Sequence, residues 1–416
     1  MIQEARQKPR FVGIDLVKIL ACFLVVSVHF FLYTNFYNTP ISNEFGRVPI
    51  AVRWFTYCCV PLFMVTTGYL MKNKKQSKQY YFGIVRVLVI YLFTACICYI
   101  FDFIHYPQKF DQIGGYHPWT FLHGLFMYNA AQYGWYVEYY ICLFLLIPYL
   151  NMIYHGMKTQ RKKQGLVLLC VLMFVFAPSF YIGTELLALI RKLPYCANFL
   201  SGITLIYKPA KDIKLLPGYF LRCYPIAYYY LGAYIREYPP KCSIKNKLLA
   251  LAAMAGGIFW LTETTLRQSM LNSDNNFVMY SWHYNDYGSW PVAVCSLAIF
   301  LLVFDIRSSN SIFCGIAKAL SNATFAAYLI SYPFDVVMYE KLIQRYPDST
   351  GLYGGFNTPA MFREMPREVP RHFALAMICE LAIQGFYVLG ERLIKNAIER
   401  HRHPVEKFPN RHIFKD

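Results

Sequence analysis

The sequence predicts an all-α integral membrane protein, a polytopic bundle in which about ten helices cross the bilayer. Of its 416 residues, 56% are hydrophobic and only 15% are charged, and the mean hydropathy is +0.31. These values are typical of membrane proteins and not of ordinary soluble domains. The basic residues also concentrate in short segments between long apolar stretches, as they do in the cytoplasmic loops of membrane proteins.

The formal net charge is +18, a value that by itself could indicate nucleic-acid binding. Because the positive charges are divided among loops between apolar segments, the expected partner is the lipid bilayer and not a nucleic acid. The 13 cysteines are odd in number and lie mostly inside apolar segments. They are therefore interpreted as packing residues, and no metal site is predicted. No cleavable signal peptide is expected, since the first apolar run is too long and lacks a small-residue cleavage site.

Ten apolar segments have approximately the length that a bilayer-spanning helix needs. The ninth is the most polar of them, and a further apolar stretch at 196–207 is short enough to be re-entrant or interfacial. The predicted spans are 11–33, 48–71, 81–104, 135–154, 165–182, 217–235, 248–264, 288–304, 316–340 and 372–394.

Loop charges predict the orientation of these spans. Lysines and arginines cluster before the first span, after the second, fourth and sixth spans, and in the carboxyl tail at 395–416. All of these segments share one side of the membrane, which the positive-inside rule assigns to the cytoplasm. Both termini are thus predicted to be cytoplasmic, with 395–416 a basic tail and the whole of 1–416 a single transmembrane domain. We find no internal repeat of fixed period.

The first span contains three ionisable residues, Asp15, Lys18 and His29. Such groups are costly inside a membrane and often mark functional sites. Lys18 and His29 are eleven residues apart, which places them on one helical face at a separation of roughly 16 Å. Asp15 precedes Lys18 by one turn on that face. The orientation above puts Lys18 in the cytoplasmic half and His29 in the outer half.

Two simpler interpretations of these residues stay open. Lys18 could extend toward the nearby interface while it pairs with Asp15. His29 could be a structural histidine that hydrogen-bonds to a neighbouring helix.

Several segments together resemble acyltransferase family 3, whose members are bacterial membrane O-acyltransferases of cell-surface glycans. The opening pattern is a basic residue, an aspartate, a second basic residue and then, after ten further residues, a histidine: here Arg10, Asp15, Lys18 and His29. Later segments with matching order and spacing are VPLFMVTTGYL, WYVEYYICLFLLIPYL, YYYLGAYI and SNATFAAYLI. The chain departs from the family in having only Arg86 at the start of the third span and Ser331 where a histidine is common.

The resemblance implies that the protein lies in the bacterial plasma membrane and carries no bound cofactor. It implies a cytoplasmic acyl-CoA donor, with acetyl-CoA as the first expectation, and a glycan hydroxyl acceptor at the outer face. Acyl transfer to a hydroxyl needs a base, a role that histidine fills near neutral pH, so His29 is the expected base. Lys18 and Arg10 are either donor contacts or structural partners of Asp15.

Other candidates for substrate binding each have an alternative interpretation. Arg86 could bind a donor phosphate or belong to the positive-inside set. Glu138, beside Trp135, could face substrate or be a paired intramembrane acid. Arg53 could contact the acceptor or extend toward the interface. Trp135 and the other aromatic residues of the predicted outer loops could stack on sugars or form an interfacial belt.

A second class of function is a transporter or flippase in which an intramembrane His, Asp and Lys form a relay. Transporters frequently contain two related halves, which we do not find in this sequence. A third is a catalytically inactive scaffold of the same fold. No serine or cysteine nucleophile is evident, so the sequence leaves direct transfer and a covalent acyl-enzyme both open.

Overall fold

The computed structural model describes residues 10–39, 46–108, 117–176, 222–241, 243–271, 286–347 and 358–402, and they form a helical bundle. The first half contains β1 (Arg10–Phe11), α1 (Gly13–Tyr33), a 3-10 turn (Phe36–Asn38), α2 (Arg47–Thr56), α3 (Cys59–Met71), α4 (Lys78–His105), α5 (Pro118–Phe126) and α6 (Trp135–Gly156). The second half contains α7 (Gln160–Val171) with a π-helical extension (Leu172–Phe176), α8 (Tyr224–Glu237), α9 (Ile244–Leu271), α10 (Trp290–Val303), β2 (Arg307–Ser308), α11 (Ser311–Arg345) and α12 (Thr358–Arg402). The all-α prediction is confirmed.

Six helical stretches in the described part of the chain are long and apolar enough to cross a membrane. They are Gly13–Tyr33, Arg47–Met71, Lys78–His105, Trp135–Gly156, Ile244–Leu266 and Ser311–Arg345. A seventh apolar helix, α10, is shorter. The membrane character of the chain is thereby supported, whereas the number ten and the side of the two termini stay predictions.

Most predicted spans coincide with helices. The second is divided between α2 and α3, and the ninth, although the most polar, lies within the apolar helix α11. The tenth lies within α12. The predicted spans 165–182 and 217–235 extend outside the described residues, and the short stretch 196–207 lies wholly outside them.

Helix α1 occupies a central place, since it packs against α3, α11 and α12. Its start is anchored by a short antiparallel pairing of β1 with β2, in which Arg10 lies opposite Ser308. The backbone amides of Val12 and Gly13 both donate to the Ile306 carbonyl at 3.0 Å. These bonds satisfy amides at the helix start that have no partner within the helix itself.

Helices α3 and α8 approach each other through two glycines. A Cβ atom at Gly68 would lie 1.9 Å from the Tyr229 carbonyl oxygen, and one at Gly232 would lie 1.9 Å from the Val65 carbonyl oxygen. Both distances are far shorter than any real contact, so only glycine fits at either position. Small residues allow this kind of close helix packing in membranes, where the hydrophobic effect contributes little to association.

An ion cluster joins the ends of α3, α7 and α8. Glu237 accepts hydrogen bonds from Lys72, at 3.0 Å, and from Lys163. Burial raises the pKa of Glu237, but the bonds from Lys163 and Lys72 outweigh it and lower the pKa to about 2. The cluster therefore stabilises the fold through an ionised carboxylate.

We expect Gly232→Ala to destabilise the protein severely, because its methyl group would collide with the α3 backbone. The matched control is Gly256→Ala on α9, where no atom lies within 4 Å of the added carbon. Thermal unfolding of the two purified variants in the same detergent measures the difference. Equal melting temperatures would show that α3 and α8 do not approach each other this closely.

We expect the contribution of Glu237 to stability to depend on pH in the acid range. Its folded pKa of about 2 lies below the ordinary value of 4.5, so the stabilisation is present above pH 4.5 and is lost as the pH falls from 4.5 toward 2. Glu237→Gln should lower the melting temperature at pH 6 by more than at pH 3. A difference independent of pH would contradict an ionised cluster.

Candidate functional site

Three helices bring their polar side chains together around one buried carboxylate, that of Asp335 on α11. His29 Nδ1 on α1 lies 3.0 Å from Asp335 Oδ2, and His372 Nδ1 on α12 lies 3.2 Å from Asp335 Oδ1. Asp335 and His372 have no exposed surface, and His29 is 7% exposed. Because a buried carboxylate is costly unless it is hydrogen-bonded, this arrangement restrains all three helices.

Two hydroxyl groups complete the surroundings of Asp335. Tyr133 donates to Oδ2 at 2.8 Å, and its ring stacks on the His29 imidazole with centroids 3.7 Å apart. Ser331 Oγ lies 3.3 Å from Oδ2 and 2.9 Å from the Tyr328 carbonyl oxygen. Ser331 precedes Asp335 by four residues on α11, so both face the same side of that helix.

The hydrogen bond to Asp335 assigns the tautomer of His29. An ionised carboxylate only accepts hydrogen bonds, so Nδ1 of a neutral His29 carries the proton. Nε2 then retains its lone pair and is the basic atom of the ring. Asp335 and the Tyr133 ring together fix the orientation of the imidazole, which is the arrangement that a general base requires.

His29 lines a cavity of about 370 Å³, which we call the His29 cavity. Its walls are largely aromatic: Tyr287 stacks between Tyr57 and Trp135, at centroid distances of 4.2 and 5.6 Å. Arg53 also lines the cavity, is 1% exposed, and holds its guanidinium 4.0 Å from the centre of the Tyr57 ring. An imidazole, a guanidinium and flat aromatic surfaces thus line one cavity.

A second cavity of about 310 Å³ contains Lys18 and Arg86, and we call it the Lys18 cavity. Hydroxyl and amide groups from Thr66, Thr67 and Asn322 also line it. Two cations beside such donors suit an anionic ligand.

The predicted site residues thus separate into three groups. His29, Arg53 and Trp135 meet in the His29 cavity, whereas Lys18 and Arg86 meet in the Lys18 cavity. Asp15 and Glu138 line neither cavity, and the side chain of Arg10 lies outside the described residues.

Sequence reasoning missed Asp335, His372 and Tyr133. Asp335 lies inside the predicted ninth span and His372 begins the predicted tenth, so each could have been marked as an intramembrane ionisable residue. Their contact with His29 could not have been found in this way, since His29 and Asp335 are 306 residues apart in the chain.

Comparison with known proteins assigns a family. Residues 11–362 match the model of acyltransferase family 3, which is described as an acyltransferase domain. The match covers α1 to the start of α12 and includes His29, Asp335 and both cavities, while His372 lies beyond it. No curated protein and no solved structure matches the chain.

We expect Tyr133→Phe to destabilise the protein by about 1.5–3 kcal/mol, because it removes a hydrogen bond to a charged group but keeps the ring. The matched control is Tyr91→Phe, which removes a 3.0 Å bond to the neutral Leu125 carbonyl and should cost only about 0.5–1.5 kcal/mol. Chemical unfolding in mixed micelles compares the two. A smaller loss for Tyr133→Phe than for Tyr91→Phe would contradict an ionised Asp335.

Proposed function

The chain belongs to acyltransferase family 3, and we propose that it is an integral membrane O-acyltransferase acting on an exported or cell-surface polysaccharide. In this proposal the acyl donor is acyl-CoA from the cytoplasm, with acetyl-CoA as the first candidate. The acceptor is a glycan hydroxyl at the outer face of a bacterial plasma membrane. The alternative of a transporter is not favoured, because the family is one of acyltransferases.

The observation that carries the proposal is the His29–Asp335 pair at the wall of a cavity lined by aromatic rings. A sugar hydroxyl is a poor nucleophile until a base accepts its proton. A histidine held in one orientation by a carboxylate is well suited to accept a proton near neutral pH. Asp335 acts through His29 and is a positioning residue, and Tyr133 positions the same ring by stacking.

The proposed reaction balances without a cofactor. His29 Nε2 accepts the proton of the sugar hydroxyl while the hydroxyl oxygen forms a bond to the thioester carbonyl carbon. The carbon–sulfur bond then breaks, and the sulfur leaves with its electron pair as the thiolate of CoA. The imidazolium returns its proton to that sulfur, which yields an O-acyl sugar and free CoA.

The two cavities suit the two substrates. Lys18 and Arg86 provide the positive charge that the phosphate groups of CoA would require. The loop charges of the sequence predict that this end of α1 faces the cytoplasm, where the proposed donor is found. Aromatic faces such as Trp135 can stack on a sugar ring, and Arg53 adds hydrogen-bond donors for its polar groups.

We expect His29→Ala to reduce acyl transfer on the order of 10²–10⁴-fold, the usual contribution of a general base. The assay is release of free CoA from acetyl-CoA by the purified full-length protein, with a cell-envelope glycan extract as acceptor. Asp335→Asn should reduce turnover by a smaller factor than His29→Ala does, because Asp335 positions the base. It should also change the dependence of turnover on pH, and it should leave the KM for acetyl-CoA unchanged.

The matched control is Asp102→Asn, which changes another intramembrane aspartate, one that accepts a hydrogen bond from Tyr332 at 2.7 Å and does not contact His29. Turnover that depends on His29 and Asp335, but not on Asp102, would support the proposal. If the native protein released no CoA from any of several acyl-CoAs in the presence of the extract, the proposed function would be wrong.

A further inference from the structure

The His29 cavity and the Lys18 cavity share three lining residues, all aromatic: Phe63 on α3, Tyr136 on α6 and Tyr328 on α11. The remaining lining residues belong to one cavity or to the other. The two spaces are thus neighbours that meet at one layer of rings.

The order of lining residues along each helix shows that this layer lies between the cavities. On α3, Val60 lines the His29 cavity, Phe63 lines both, and Thr67 lines the Lys18 cavity. On α1, His29 lines the first of these cavities and Lys18 lines the second. A path from one cavity to the other therefore runs along the helix axes, across the layer.

The same order holds on the other two helices. On α6, Trp135 lines the His29 cavity, Tyr136 lines both, and Tyr140 lines the Lys18 cavity. On α11, Tyr328 lines both, and Phe325, one turn earlier, lines the Lys18 cavity alone.

The three rings form a packed layer. Phe63 and Tyr136 have centroids 6.0 Å apart, and Tyr136 meets Tyr328 edge to face at 5.8 Å. Tyr136 and Tyr328 are 8% and 4% exposed. Tyr328 is fixed further, since its hydroxyl donates to the Tyr133 carbonyl oxygen at 3.1 Å. Such a layer separates the cations of one cavity from the base of the other, and it has little freedom to widen.

We infer that Phe63, Tyr136 and Tyr328 form a constriction that sets the size of the acyl group the enzyme transfers. The inference rests on the proposed function, in which the donor occupies the Lys18 cavity and the base lies in the His29 cavity. The thioester carbonyl must then reach His29 across the aromatic layer. A short acyl group passes between the rings, whereas each added methylene must displace them.

The test replaces Phe63, which is the smallest of the three side chains, and compares acyl-CoA donors whose acyl groups differ in length. Phe63→Ala should raise the ratio of kcat/KM for butanoyl-CoA to that for acetyl-CoA by at least about tenfold, the discrimination that a single methylene can supply in a tight pocket. Phe63→Leu should raise it by a smaller factor, and it provides a milder variant if the alanine protein does not fold. Phe63→Trp should lower the ratio, because it narrows the layer.

The matched control is Phe144→Ala on α6, which removes the same atoms from a buried ring that stacks on Tyr80 at 4.4 Å and lines neither cavity. Its donor ratio should equal that of the native protein. Active Phe63 variants with the native donor ratio would overturn the constriction and leave the proposed function intact. Absence of CoA release from the native protein with either donor would overturn the proposed function and the constriction with it.

Discussion

The candidate site depends on one buried carboxylate, which needs hydrogen-bond donors from several parts of the chain. Asp335 is fully buried among helices, and its carboxylate accepts hydrogen bonds from His29, His372 and Tyr133. Removing any of these donors leaves part of a charge unpaired in an apolar interior, so α1, α11 and α12 are constrained to a single relative position. That constraint holds the imidazole of His29 in the tautomer and orientation that a general base needs.

Close backbone packing elsewhere provides the frame for this site. Gly68 and Gly232 let α3 and α8 approach nearly to backbone contact, and α3 also packs against α1. The antiparallel pairing of β1 with β2 fixes the start of α1. A rigid frame suits catalysis in a membrane, because a displacement of about 1 Å between base and substrate can reduce the rate on the order of 10²-fold.

The division of space suits the two unlike substrates of the proposed reaction. The proposed acyl-CoA donor is soluble and highly charged and the proposed acceptor is a glycan, and the protein has one cavity with two cations and a neighbouring cavity with aromatic walls. The layer formed by Phe63, Tyr136 and Tyr328 keeps these environments apart. In the proposed mechanism only the acyl group crosses it, so selection for acyl size and separation of the two substrates have the same physical origin.

Periodicity and composition determined the helical class, the membrane character and the position of most helices, because apolar length is a local property of the chain. The sequence also identified His29 and Lys18 as unusual, because ionisable residues inside an apolar segment can be recognised from the sequence alone. Their eleven-residue spacing placed both on one face of α1. Only the tertiary structure decided that these two residues line different cavities. It alone joined His29 to Asp335 and His372, because contacts between helices distant in the chain depend on packing that no local pattern encodes.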